Sequence, residues 1–213
     1  MSSQPYKAPM PPHHQYRDFL SRDELAALLD YALASRDRFK PSQLGGKIVD
    51  PTRRRSEQLG DLGPHRQVFE DKLRGIADDL FRRTGTRPFD IDHVELEVVA
   101  HNDGAHFNAH SDIPIGPGRE RLGNDSSGRH ERLLSGVFYF YREPKAFSGG
   151  QLRLFRFGGG DGPDDHVDLE PEQNSLVIFP SWAVHEVRMI HCPSGRFEDC
   201  RFAVDAWLCR ADD

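Results

Sequence analysis

Cysteine is scarce in this chain. Its 213 residues include only Cys192, Cys200 and Cys209, and no Cys-x-x-Cys spacing occurs. An odd cysteine count, with no basic start followed by an apolar stretch at the N-terminus, is typical of a reducing compartment. We therefore expect a cytoplasmic protein with reduced, structural thiols. A disulfide framework and a zinc site built on thiolates are disfavoured.

The chain also lacks long apolar runs and an excess of basic residues. No segment stays apolar for the length that a bilayer requires, and the net charge is −6. These absences argue against a membrane partner and against a uniform basic surface for nucleic acid. The expected partner is a small-molecule or peptide substrate, and the oligomeric state stays open. The length fits one substantial domain.

The first half of the chain carries signals for helices. Residues 1–16 are rich in proline and polar residues, which predicts a flexible arm. Ser21 and Glu24 form the pattern of a capping box, so a helix should begin there. A second helix is predicted after Pro64, and Gly85 is placed to end it.

From residue 91 the apolar period changes to two, which predicts strands. The expected strands cover 93–101, 133–141, 150–157, 175–179, 185–190 and 201–209. Helices followed by short strands indicate an α+β chain whose antiparallel sheets form a sandwich or barrel. We predict one domain over 17–213, with a helical part (17–89) and a β core (90–209).

One long polar insertion, 113–132, interrupts the predicted strands. It carries four arginines among glycines: Arg119, Arg121, Arg129 and Arg132. Long loops of this kind are often functional lids. A mobile lid that attracts an anionic substrate and a solvated basic loop are both compatible with the sequence.

The pattern His110-Ser111-Asp112 suggests a metal site. Residues two apart on a strand point to the same face, roughly 6.6 Å apart, so His110 and Asp112 can bind one ion from one side. A second imidazole from a distant strand, such as His185, would complete two histidines and a carboxylate. That set leaves the opposite positions of the ion open, as in non-haem Fe(II) oxygenases.

Four blocks around these residues resemble the prolyl-4-hydroxylase branch of the Fe(II)/2-oxoglutarate-dependent oxygenases. They are HNDGAHFNAHSD (101–112), GVFYFY (136–141), SGGQLRLF (148–155), and FPSWAVHEV (179–187) continued by RFAVDAW (201–207). Together they cover about residues 90–209, and they occur in the family's order. The resemblance implies a double-stranded β-helix, or jelly roll, with supporting N-terminal helices.

The resemblance implies a hydroxylase. It assigns His110, Asp112 and His185 as iron ligands, which makes them the catalytic residues. The implied cofactors are Fe(II), 2-oxoglutarate and O2, with ascorbate as a further candidate. The implied reaction hydroxylates an aliphatic carbon and releases succinate and CO2. The substrate would be a peptidyl proline or a small amino-acid-like molecule.

The resemblance also implies a basic residue for the distal carboxylate of 2-oxoglutarate. Arg201 opens the matching strand, although it lies sixteen positions after His185 instead of about ten. Residues 192–199 look like a hairpin extension that explains the difference, and Arg196 is the alternative at the usual spacing. Tyr139 corresponds to the family tyrosine that binds the same carboxylate. Phe138 and Tyr141 are alternatives if the register is shifted.

Two residues depart from the family pattern. His101 replaces a tyrosine nine residues before the first ligand, and Asp205 stands where a small residue is usual. Both leave the substrate in doubt. Two other classes stay open from the residues alone: a zinc-dependent hydrolase on a jelly-roll scaffold, and a catalytically silent jelly-roll binding module.

Overall fold

The computed structural model describes residues 8–44, 48–113, 130–157, 162 and 165–211. The helices are α1 (Arg22–Ala34), α2 (Arg66–Gly75) and α3 (Ala77–Thr84). The strands are β1 (His14–Tyr16), β2 (Lys40–Pro41), β3 (Arg54–Arg55), β4 (Glu57–Leu59), β5 (His93–His101), β6 (His106–His110), β7 (His130–Phe140), β8 (Ser148–Gly149), β9 (Leu152–Phe155), β10 (His166–Leu169), β11 (Ser175–Pro180), β12 (His185–Val187), β13 (Ile190–His191) and β14 (Arg201–Ala211). Among the described residues, no helix has the length and apolar character needed to cross a membrane.

The helix predictions are confirmed in part. Ser21 caps α1, and the reciprocal hydrogen bonds between Ser21 and Glu24 form the expected capping box. The single helix expected after Pro64 is wrong, because the chain forms α2 and α3 with a break at Ile76. Gly75, a poor helix former, precedes that break. Gly85 ends α3 in the left-handed conformation, as predicted.

The strands form two larger antiparallel sheets and a small one. The seven-stranded sheet has the order β1-β11-β7-β14-β5-β4-β2, and the five-stranded sheet has the order β10-β9-β12-β6-β3. β8 and β13 form a separate pair. The expected α+β chain with antiparallel sheets is thus observed. The region 17–89 is not purely helical, because β2, β3 and β4 extend the two sheets.

The N-terminal segment is partly ordered. His14–Tyr16 pair with β11, although the sequence predicted a flexible arm through residue 16. Residues 1–7 lie outside the described part of the chain. The domain division at 16/17 stays a prediction.

The two faces of the seven-stranded sheet bury different sets of residues. On β14, Phe202, Val204 and Ala206 belong to the main core, together with Leu28 and Leu73 of the helices. Burial of such apolar side chains stabilises the fold by about 1.5–3 kcal/mol each. The intervening residues of β14 point the other way because strand side chains alternate. That second face lines the cavity described next.

Candidate active site

A cavity of about 460 Å³ lies between the two larger sheets. The five-stranded sheet contributes His110 and His185 to its lining, and the seven-stranded sheet contributes His101, Arg201 and Asp205. A cavity of this size accommodates a small ligand. The expected metal ligands and the expected cosubstrate arginine therefore line the same cavity.

The structure brings His110, Asp112 and His185 together. One potential ligand atom from each lies within 4.8 Å of the others. His110 ends β6 and pairs directly with His185 on β12. The sequence suggested that His110 and Asp112 share a strand. This is wrong for Asp112, because β6 ends at His110. Its position is held by its own backbone N–H, which donates to the Ser181 carbonyl at 3.1 Å.

Hydrogen bonds orient both imidazoles. Nδ1 of His110 lies 2.8 Å from the Asn108 carbonyl, and Nδ1 of His185 lies 2.9 Å from the Ala183 carbonyl. A carbonyl oxygen only accepts, so Nδ1 must donate, and in a neutral ring of this tautomer Nε2 carries the lone pair. Each Nε2 lies 3.8 Å from a carboxylate oxygen of Asp112. Three ligand atoms thus converge, with both rings in the tautomer that a metal requires.

The charge states of His110 and Asp112 suit a metal site. Burial and the adjacent His185 together lower the pKa of His110 to about 3, against the opposing effect of Asp112. Burial alone would raise the pKa of Asp112, but the two histidines, Arg132 and the Ser135 hydroxyl bring it to about 2. At neutral pH the pair is therefore a neutral imidazole and a carboxylate anion.

Two serines support Asp112, and sequence reasoning missed both. The Ser135 hydroxyl lies 2.6 Å from Oδ2 of Asp112 and 2.9 Å from the Ser181 hydroxyl. Ser181 belongs to the block FPSWAVHEV and Ser135 immediately precedes GVFYFY. The inward parity of Ser135 on β7 is the one sequence signal that could have found it.

Arg201 opens β14, as predicted, and only 1% of its surface is exposed. Its Nη1 donates to the Gly150 carbonyl at 2.7 Å. Its Nη2 lies 2.9 Å from Nδ1 of His101. Among the described residues no carboxylate forms a salt bridge with Arg201, and its Nε has no hydrogen-bond partner. Arg196, the alternative, lies in the exposed turn and pairs with Asp199.

Gly150 fixes the approach of Arg201. It has a φ of +74°, which glycine adopts without strain. A Cβ there would lie 2.7 Å from Cγ1 of Ile190 and 3.3 Å from Cδ of Arg201. The Gly-Gly pair of the third block therefore positions the guanidinium.

Tyr139 is fully buried beside Arg201. The Arg201 guanidinium carbon lies 5.1 Å from the centre of its ring, and its hydroxyl is buried with no partner in the described part of the chain. Burial raises the pKa of Tyr139, so the hydroxyl stays protonated. Phe138 points to the helix-covered face, where it joins the main core. Tyr141 packs in a separate cluster with Phe147.

The two departures from the family pattern both lie in the cavity wall. His101 is buried, and burial together with Arg201 and Arg54 lowers its pKa well below the usual value. It is therefore a neutral acceptor for Arg201. Asp205 does not pair with Arg201, and its nearest described cation is Arg54, 3.9 Å away.

Arg132 does not belong to a loop. It lies in β7, is buried, forms a two-pronged salt bridge with Glu95 and covers the Trp207 ring at 3.9 Å. The interpretation of 113–132 as one insertion was thus too wide. Arg119, Arg121 and Arg129 lie outside the described residues.

The three cysteines are buried and unpaired. We expected reduced, structural thiols, and this placement agrees. The sulfur of Cys192 contacts the Asp199 carbonyl at 3.4 Å, within the turn that precedes β14.

Residues 96–209 match the model of the 2OG-Fe(II) oxygenase superfamily. The matched segment is more than half of the chain and contains all three residues of the triad together with Arg201 and Tyr139. The chain therefore belongs to the 2OG-Fe(II) oxygenase superfamily, whose members are dioxygenases that use Fe(II), 2-oxoglutarate and O2. The expected family is confirmed.

Similar proteins agree with this assignment. An uncharacterized PKHD-type hydroxylase of Synechocystis sp. is 32% identical over 145 residues, which are 66% of this chain. The match spans only 44% of that relative. A prolyl-4-hydroxylase of Pseudomonas putida has a similar structure (TM-score 0.66, 21% identity, 93% of both chains). A Trichoplax adhaerens prolyl hydroxylase has a TM-score of 0.65 at 17% identity, over 92% of this chain and 83% of that one.

Proposed function

We propose that this protein is an Fe(II)- and 2-oxoglutarate-dependent dioxygenase that hydroxylates an aliphatic carbon and releases succinate and CO2. The observation that carries the proposal is the content of one cavity. The triad His110, Asp112 and His185 lies on one side, and the buried Arg201 lies on the other. The first set suits a divalent metal, and the second suits an anion.

The residues of the triad fit a ferrous ion. Two neutral imidazoles and one carboxylate are the donor set of non-haem Fe(II) oxygenases, and they leave the remaining positions open. When bound, Fe(II) supplies the oxygen activation that this chain's own side chains lack. His110, Asp112 and His185 would hold it, and Ser135 would keep the Asp112 carboxylate oriented.

Arg201 and Tyr139 fit the distal carboxylate of 2-oxoglutarate. Arg201 Nε and the Tyr139 hydroxyl are buried donors without a partner in the described structure. A buried unsatisfied donor costs about 1–3 kcal/mol, so an anion that accepts from both would recover that cost. A guanidinium can also bind a carboxylate through two parallel hydrogen bonds.

The other residues of the cavity position these groups and exclude water. His101 and Gly150 hold Arg201 through its two Nη atoms. Val137 and Leu152 add apolar lining to the same cavity. Because the fold already holds these side chains in place, the reacting groups would be brought together with little reorganisation.

We also propose that the two larger sheets form the expected double-stranded β-helix. Eight antiparallel strands support this, four from each sheet. They are β11, β7, β14 and β5 in one sheet and β10, β9, β12 and β6 in the other. Double-sheet jelly rolls consist of eight such strands, and the chain passes repeatedly between the two sheets. The helices cover one outer face.

We propose that the substrate is of the kind that prolyl hydroxylases use: a peptidyl proline or a small amino-acid-like molecule. The PKHD-type relative and the prolyl hydroxylases of similar structure support this class. The Trichoplax enzyme was solved with a peptide fragment of hypoxia inducible factor.

A stability and turnover assay tests the proposed function. Fe(II) plus 2-oxoglutarate, without oxygen, should raise the Tm of the full chain, because both bind the folded state. Admission of oxygen should then release succinate, slowly even without substrate. Zinc-dependent hydrolysis with no response to 2-oxoglutarate would instead identify a hydrolase. No response to either would identify a binding module.

A further inference from the structure

Asp205 lies in the middle of the cavity wall. On β14 it is four residues from Arg201, a distance of roughly 13 Å along the strand. It pairs with Glu97 of β5 on one side and with Val137 of β7 on the other. Trp207, two residues further on, pairs with Ser135, which contacts Asp112. Asp205 thus lies between the end of the cavity that contains Arg201 and the triad.

Two carboxylates at this point share one cation. Nη2 of Arg54 lies 3.2 Å from Glu97 and 3.9 Å from Asp205. Glu97 is therefore the partner of Arg54, and Asp205 is only a neighbour. Like charges directly opposite on adjacent strands destabilise a sheet. The arrangement costs stability, so a role in ligand binding is a better explanation for it than a role in folding.

The other charges that the described residues place at the cavity balance without Asp205. Arg132 pairs with Glu95. Under the proposed function, Fe(II) with Asp112 and 2-oxoglutarate with Arg201 together carry no net charge. Among the described lining residues, Arg54 balances Glu97, and Asp50 and Arg53 bring one charge of each sign. Asp205 is therefore the one carboxyl in that described lining without a cation of its own.

Arg54 is not free to move toward Asp205. Its Nη1 donates to the Gln43 carbonyl at 3.1 Å, and its guanidinium covers the Phe107 ring at 4.9 Å. Its Nε is buried with no hydrogen-bond partner in the described part of the chain. A ligand in the cavity would therefore meet Asp205, which shares its nearest described cation with Glu97, and a fixed guanidinium whose Nε has no described partner.

The pKa of Asp205 also indicates that nearby cations do not fully offset burial and the adjacent Glu97. Burial raises its pKa to about 7, and Glu97 adds to the rise while Arg54 and Arg201 oppose it. A cation placed against Asp205 would favour the charged carboxylate, because an opposite charge at short range stabilises the ionised form.

We propose that Asp205 receives a positively charged nitrogen of the substrate, an ammonium or guanidinium group. The proposal rests on the proposed function and narrows its substrate to amines and free amino acids. An internal prolyl residue of a peptide has no such charge at the reacting residue. Asp205 is then a specificity-determining residue, which makes a charge-assisted hydrogen bond to the substrate.

Binding of matched probes tests the proposal. The full chain, loaded with Fe(II) and 2-oxoglutarate without oxygen, is titrated calorimetrically with three pairs: L-arginine and L-citrulline, L-lysine and L-norleucine, L-proline and N-acetyl-L-proline. The first two pairs differ in a side-chain cation, and the third differs in the charge of the α-nitrogen. In at least one pair, the member with the additional cationic nitrogen should bind about tenfold more tightly than the member that lacks it. The Asp205→Asn variant should lose that preference. If no pair shows the preference, or if Asp205→Asn keeps it, the proposal is wrong.

Two controls separate a binding role from a structural one. Asp71→Asn makes the same change on the exposed face of α2 and should leave the preference intact. Without ligands, Asp205→Asn should keep or raise the Tm, because it removes the repulsion with Glu97. A lower Tm with an unchanged preference would make Asp205 structural and would overturn the proposal.

The proposed function can fail independently. Asp205→Asn should bind 2-oxoglutarate at least as tightly as the parent, because a negative charge near an anionic cosubstrate is removed. If the parent chain binds neither Fe(II) nor 2-oxoglutarate, the proposed function fails. If it binds both but shows no preference for the cationic probes, only the assignment of Asp205 fails.

Discussion

At the triad end of the cavity, each histidine ring is fixed by a carbonyl two residues before it, and Asp112 is held by Ser135. At the Arg201 end, two buried donors have no acceptor among the described residues. The triad is therefore complete as a set of ligand atoms. The other end offers two buried donors that an anion could accept from. The difference indicates that the proposed metal site is formed in advance, whereas the proposed cosubstrate site would gain further stability when it is filled.

The largest expected effect comes from removal of a ligand atom of the triad. Asp112→Ala should abolish iron-dependent succinate production, because two neutral imidazoles alone give neither the third ligand nor the charge. Circular dichroism should show an intact fold. Asp71→Ala on α2 is the matched control and should keep full turnover. Succinate production retained in Asp112→Ala would exclude Asp112 as a ligand.

At the Arg201 end of the cavity, the expected effect of a substitution is a loss of 2-oxoglutarate affinity. Arg201→Ala should weaken 2-oxoglutarate binding by about 3 kcal/mol, the value of a hydrogen bond to a charged group, or roughly a hundredfold in Kd. Arg196→Ala, in the exposed turn, should have little effect. Anaerobic titration of each variant with 2-oxoglutarate measures both. The reverse ranking would mean that Arg196 is the cosubstrate ligand.

A smaller effect is expected from the group that orients Asp112. Ser135→Ala should lower metal affinity about 10-fold, the lower end of the range for residues that support a ligand. Ser148→Ala, on the exposed strand β8, serves as the control. Competition with a chelator measures the affinity. Equal affinities in the two variants would show that the carboxylate needs no orienting hydroxyl.

The smallest expected effect is on 2-oxoglutarate affinity, from removal of the Tyr139 hydroxyl at the Arg201 end of the cavity. Tyr139→Phe removes a buried hydroxyl without a described partner, so the ligand-free Tm should stay the same or rise. The 2-oxoglutarate affinity should fall by about 1 kcal/mol, the value of one hydrogen bond. Tyr141→Phe is the control, because Tyr141 would be the cosubstrate tyrosine if the alignment with the family motif were shifted by two residues. A lower ligand-free Tm with unchanged cosubstrate affinity would make the Tyr139 hydroxyl a structural group.

The sequence predicted those features of the fold and of the site that depend on local pattern. The capping box at Ser21, the bounds of β5 and the start of β14 at Arg201 all follow from short-range signals, and all are confirmed. The proximity of His110 to Asp112 also follows from their spacing, although Asp112 lies beyond the end of the strand. The assignment of His185 to the same site as His110 and Asp112 was implied by the family resemblance.

The sequence could not predict contacts that depend on long-range register. Arg54 enters the cavity wall because β3 pairs with β6, and nothing in the local sequence of β3 indicates this pairing. The opposition of Glu97 and Asp205 likewise depends on the alignment of β5 with β14. The break at Ile76 was missed because the apolar residues on both sides keep helical spacing through it.

The three polar residues of β1 pair with β11 along the outer border of the seven-stranded sheet. In this position they cover the main-chain groups of a fully buried, apolar strand that would otherwise be open to a neighbouring molecule. Such open borders are templates for association between copies of a chain. A shortened version that begins at residue 17 would therefore keep its whole cavity and yet tend to aggregate.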